Sequence, residues 1–141
     1  MSTTYIPSDL RQSVRERADN FCEYCLLHED DSHFGLQIDH IISEKHKGKT
    51  EIDNLALACA FCNRAKGSDI GSVVWETGEF VRFFNPRIDV WSDHFRLEGV
   101  RIVPNTDVGR TTEAILAFNT PDRLLERQAI ADVGRYPLKP N

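Results

Sequence analysis

The sequence predicts a small α+β fold built around a compact ββα unit, on the strength of three observations. Two short runs carry a large aliphatic residue at every second position, Leu36 and Ile38 in the first and Leu55 and Leu57 in the second. A side-chain period of two marks half-buried strands. The lysine-rich stretch between them, Ser43 to Asp53, contains one glycine and reads as a loop, and a short helix is expected from about Phe61 to Asp69. Finally, two Cys-x-x-Cys pairs, Cys22 with Cys25 and Cys59 with Cys62, stand at the two ends of this unit.

Ahead of the unit, residues 8 to 19 predict a helix, with Ser8 as N-cap and Leu10, Val14 and Ala18 repeating every four residues. The polar run from His28 to Gly35 predicts a loop. The second half has a different texture. Val73 to Glu76 and Glu79 to Phe84, joined by Thr77-Gly78, predict a hairpin. A helical turn at Val90 to His94 and a second hairpin from Phe95 to Val103 through Glu98-Gly99 follow. Val108 to Asn119 reads as a helix with Ala114, Ile115 and Phe118 apolar. Another starts at Pro121 behind Thr120, with Leu124, Leu125 and Ala129 as its buried stripe. The aromatic residues Trp75, Phe80, Phe83, Phe84 and Trp91 are expected in the core.

The 141 residues suit one domain, 1–141, with a core at about 20–70 and a C-terminal extension at about 72–141. No apolar run approaches the roughly 20 residues that cross a bilayer, so no membrane partner is expected. MSTTYIPSDLRQ lacks the basic and apolar pattern of an export signal, and a cytoplasmic location is the expectation. Reduced thiols in that setting favour metal over disulfides. The formal charge of −5 argues against tight sequence-independent binding to nucleic acid, which draws on Lys and Arg. Locally the balance differs: Lys45, Lys47 and Lys49 follow His40, and Arg64 and Lys66 follow Asn63, while Glu29, Asp30 and Asp31 cluster elsewhere.

Four thiolates from two short loops can meet in a tetrahedron around Zn2+, and a closed shell of this kind folds a protein without catalysing. The second set of residues is harder in character. Asp39 and the side-chain oxygen of Asn63 are suited to a divalent cation such as Mg2+ or Mn2+, which stabilises charge at a phosphate. His40 is the natural base for a water, because neutral imidazole titrates near working pH. Successive strand residues point to opposite faces, so a bend or bulge is expected if Asp39 and His40 serve one site.

The pattern Asp39-His40, Asn54-Leu55 and Cys59-x-x-Cys62-Asn63-x-x-Lys66 resembles the HNH endonucleases, a family with a ββα-metal (His-Me finger) core and supporting zinc. The resemblance covers roughly residues 20 to 70. It implies a DNA-cleaving enzyme, with RNA as a second possible substrate, acting as monomer or homodimer. It makes His40 the general base and Asp39 and Asn63 the ligands of the catalytic metal. Asn54 would hold the loop that orients His40, and Lys66 would contact phosphate. Asn63 at the last motif position makes this an HNN form, and Gly48 is followed by Lys49 where many members have a second glycine. The competing reading is a catalytically inactive zinc module that binds nucleic acid or protein. His94 is expected to be packed and hydrogen-bonded, and His28, His33 and His46 to be ordinary surface residues.

Overall fold

The computed structural model describes residues 4–138, and the chain divides into two compact units, Met1–Ile70 and Gly71–Asn141. No helix among the described residues is long and apolar enough to cross a membrane.

The first unit opens with α1 (Ser8–Arg17). Its capping position is Pro7, whose carbonyl accepts from Arg11 N at 3.0 Å; Ser8 lies in the first turn and makes no side-chain cap, one residue later than its sequence suggests. Asp19 and Asn20 end the helix with positive φ, a conformation that short polar side chains tolerate, and turn the chain into the first cysteine loop. The ββα unit follows as β1 (Leu36–His40), β2 (Leu55–Cys59) and α2 (Ala60–Lys66). The strands are antiparallel, with Leu36 opposite Cys59 and His40 opposite Leu55, in unbroken register. Every residue of β2 is buried. Its second edge is covered by the first cysteine loop: Glu23 N donates to Leu57 O at 2.8 Å, and Leu57 N donates to Glu23 Oε2 at 2.8 Å. That pairing satisfies groups an open edge would leave exposed.

The second unit contains two hairpins. β3 (Gly71–Val74) pairs with β4 (Glu79–Arg82), then α3 (Trp91–His94) precedes β5 (Phe95–Glu98) and its partner β6 (Arg101–Pro104). α4 (Asp107–Ile115) and α5 (Pro121–Asp132) complete it. α4 stops short of Asn119 because Leu116 caps it and Ala117 turns with φ 54°. A Cβ on Gly109 would lie 2.2 Å from the His94 carbonyl, so only glycine lets α4 pack this closely. The core centres on Phe95, whose ring meets Phe84 at 5.5 Å, Trp91 at 5.0 Å and Phe118 at 5.7 Å.

Two sequence expectations for this unit are overturned. Trp75 and Phe80 are 85% and 61% exposed and lie outside the core that holds Phe83, Phe84 and Trp91. On α5 the expected stripe does not exist: Leu125 and Ala129 are exposed, and the buried residues are Arg123 and Arg127. The reason is the end of α4. Its last carbonyls need donors, and Arg123 supplies Leu116 O at 2.7 Å while Arg127 supplies Phe118 O at 2.7 Å, Val100 O at 2.8 Å and Asn119 Oδ1 at 2.9 Å. His94 is packed as expected, with Nδ1 2.6 Å from Thr106 Oγ1 and Nε2 3.5 Å from Asp89. His28 is more than a surface residue. Its ring accepts from Asp30 N at 3.1 Å and stacks edge-on against Phe21.

Candidate active site

Cys22 and Cys25 lie in the turn after α1; Cys59 ends β2 and Cys62 lies in the first turn of α2. The four side chains are buried, and their sulfurs all lie within 4.8 Å of one another. Cys25 Sγ and Cys59 Sγ are 3.6 Å apart, far beyond a disulfide bond of about 2.05 Å. Four thiolates at about 2.3 Å from one Zn2+ define a tetrahedron with edges of about 3.8 Å, close to the Cys25–Cys59 separation. Two backbone N–H groups already point at sulfur: Cys25 N to Cys22 Sγ and Cys62 N to Cys59 Sγ, each at 3.4 Å. Burial, reinforced by thiol–thiol contacts, pushes the Cys22 thiol up, and burial does the same at Cys62. Thiolates so deeply placed require a compensating cation. The cysteines are thus positioned to hold a metal ion, and their soft donors fit zinc.

Asp39, His40 and Asn63 come together on a cleft of about 390 Å³ within the same unit. Four consecutive residues, Gln37 to His40, line it. β1 pairs with β2 without a break, so Asp39 and His40 both line the cleft with no bulge between them, where their alternation had suggested one. Asn63 reaches it from α2, and its side-chain amide donates to Gln37 Oε1. Carboxylate and amide oxygens are the hard donors that Mg2+ or Mn2+ prefer, and two protein ligands leave room for water and phosphate. The donor set fits such an ion.

The loop between the strands is tied down by Asn54. Its Oδ1 accepts from Ile42 N, and its Nδ2 donates to Ile42 O and Lys49 O, all at 2.9 Å. Inside that clamp a Cβ on Gly48 would sit 1.7 Å from Ile42 O and 2.9 Å from Asn54 Nδ2. Gly48 is therefore the glycine the loop requires, whereas Lys49 contributes through its carbonyl. The clamped loop ends at Thr50, whose Oγ1 lies 2.9 Å from His40 Nε2. The lysines Lys45, Lys47 and Lys49 are exposed, and Lys45 lines the cleft.

Lys66 lies where a phosphate could not reach it, at 1% exposure. Its ammonium donates to Asp39 Oδ1 at 3.2 Å and to the His40 carbonyl at 2.9 Å. Tyr24, fully buried between Cys22 and Cys25, donates its hydroxyl to Asp39 Oδ2 at 2.7 Å. Burial, helped by the Asp39 charge, holds the Tyr24 phenol well above its usual range, so it keeps the proton it donates. Burial likewise raises the Asp39 carboxyl, against the opposing pull of Lys66 and Tyr24.

Tyr24, Gln37 and Thr50 are the site residues that sequence reasoning missed. Gln37 carries a usable signal, since it precedes Asp39 by two and shares its strand face. Tyr24 and Thr50 carry none, because their partners lie 15 and 10 residues away around turns.

Residues 22–69 match the family model for HNH endonuclease, about a third of the chain. No curated protein and no solved structure matches it.

Proposed function

We propose that this chain, whose residues 22–69 form an HNH endonuclease domain, is a metal-dependent endonuclease that hydrolyses phosphodiester bonds in DNA. The observation that carries the reading is the single cleft onto which Asp39, His40 and Asn63 converge. Asp39 and Asn63 hold a divalent cation, Mg2+ or Mn2+. When bound, that ion offsets the charge developing on the phosphate and the leaving oxygen. His40 accepts the proton of the attacking water. Nε2 is engaged by Thr50 Oγ1 at 2.9 Å, which leaves Nδ1 as the nitrogen that takes this proton. Asn54 fixes the loop that carries Thr50, and so orients the imidazole from behind. The four cysteines hold structural zinc, and because Cys62 and Asn63 are adjacent the same backbone serves both metals.

The test is cleavage of supercoiled plasmid by zinc-loaded protein with added Mg2+ or Mn2+. His40→Ala is expected to lower the rate by at least about a hundredfold, the usual contribution of a general base. Its zinc content and circular dichroism are expected to match wild type. Equal cleavage by both proteins would overturn the assignment.

A further inference from the structure

The geometry points to Lys66 as the residue that keeps the cation site weak until a substrate phosphate arrives, so that cation and nucleic acid bind jointly. The inference rests on Asp39 and Asn63 being the cation's ligands, and adds to it how that site is regulated. Affinity of a hard-oxygen site for a divalent ion is set largely by the negative charge of its ligands. Here that charge is one carboxylate, and a buried ammonium already stands 3.2 Å from it. Asn63 contributes an uncharged amide. The remaining charged groups on the cleft, Glu44 and Lys45, are adjacent in sequence and opposite in sign. The cleft therefore offers an incoming cation hard oxygen donors with no net negative charge among the side chains that line and support them. A phosphate oxygen supplies what is missing.

Two features show that the arrangement is built in. Lys66 also donates to the His40 carbonyl, which locks its ammonium beside the carboxylate. Tyr24 holds the other oxygen of Asp39, so the carboxylate cannot swing away from Lys66 without breaking that bond as well. The consequence is an enzyme that assembles its cation centre on nucleic acid.

The experiment follows paramagnetic broadening of the Asn63 side-chain amide signals as Mn2+ is titrated into zinc-loaded protein, with and without thymidine 5′-monophosphate as an uncleavable phosphate. In wild type the nucleotide is expected to lower the Mn2+ midpoint at least about tenfold, well within what a unit charge a few ångströms away supplies near a protein surface. Lys66→Gln removes the charge but keeps a donor for Asp39. It is expected to lower the midpoint without nucleotide by a similar factor and to shrink the effect of nucleotide. A wild-type midpoint that ignores the nucleotide, or a folded Lys66→Gln protein with an unchanged midpoint, would overturn the inference. If Lys66→Gln loses spectral dispersion, the wild-type comparison decides alone. Tight, nucleotide-independent broadening leaves the ligand assignment standing and removes the role of Lys66. No broadening of Asn63 under any condition removes both.

Discussion

The two units solve the problem of a small core by different means. In Met1–Ile70 the centre is a cluster of four cysteines beside a fully buried β2 strand of leucine and alanine. In Gly71–Asn141 there is no cysteine; three aromatic rings pack around Phe95, and two buried arginines close the end of α4. Four cysteines positioned to hold a metal ion would fix that unit's backbone tightly, and the same unit brings Asp39, His40 and Asn63 onto one cleft. Aromatic packing tolerates more and leaves surface free, as the exposed Trp75 and Phe80 show. The difference teaches that one unit is organised around a site, whereas the other is organised around its own core.

The largest expected effect separates the units outright. Structural zinc sites contribute on the order of 10–16 kcal/mol to folding, so chelation or Cys62→Ser is expected to unfold the first unit and abolish cleavage. Both tryptophans, Trp75 and Trp91, lie in the second unit, so their fluorescence reports on that unit. It is expected to stay unchanged while the amide signals of β1 and β2 collapse; a simultaneous shift of tryptophan emission would break the comparison. Next comes Arg127→Ala, which strips a charged donor from Val100 O, Phe118 O and Asn119 Oδ1. A loss of at least about 3 kcal/mol in urea unfolding followed by tryptophan emission is expected. Leu125→Ser on the exposed face is expected to change stability by no more than about 0.5 kcal/mol. If the two variants were equally destabilised, the apolar stripe would be reinstated.

The smallest effect is a pH dependence confined to the second unit. Burial alone would raise the Asp89 carboxyl, but the Arg82 guanidinium, bonded at 2.7 and 3.0 Å, and the Asn85 N–H bring it below its ordinary value. A carboxyl depressed on folding contributes stability above its unfolded pKa of about 3.9, and loses it as pH falls through the lower folded value. Tryptophan-monitored stability should therefore decline below about pH 4, and Asp89→Asn should flatten that decline. An identical slope in the variant would remove Asp89 from the account.

Much of the first unit is legible in the sequence. Spacing alone paired Cys22 and Cys25 with Cys59 and Cys62, because metal knuckles require short loops. Alternation at Leu36 and Ile38 located β1, because a half-buried strand imposes a period of two, whereas Leu55 and Leu57 located β2 although its alanines are buried as well. The α5 stripe was misread because periodicity registers apolar residues and is blind to an arginine buried against helix-terminal carbonyls. Trp75 was misplaced because a hydrophobic residue at a hairpin tip has no sequence signature of exposure.

By itself the sequence determined which residues could bear chemistry: four thiolates, one carboxylate, one imidazole and the amides of Asn54 and Asn63. These are properties of side-chain type and spacing, and they survive without knowing where anything points. Only the tertiary structure decided their partners. It placed Asp39 and His40 of an unbroken β1 strand along one cleft. It also buried Lys66 against Asp39 and set Tyr24 on the carboxylate's other oxygen. Those contacts join residues 15 to 27 apart around turns, and distance of that kind is fixed by packing, which local sequence does not encode.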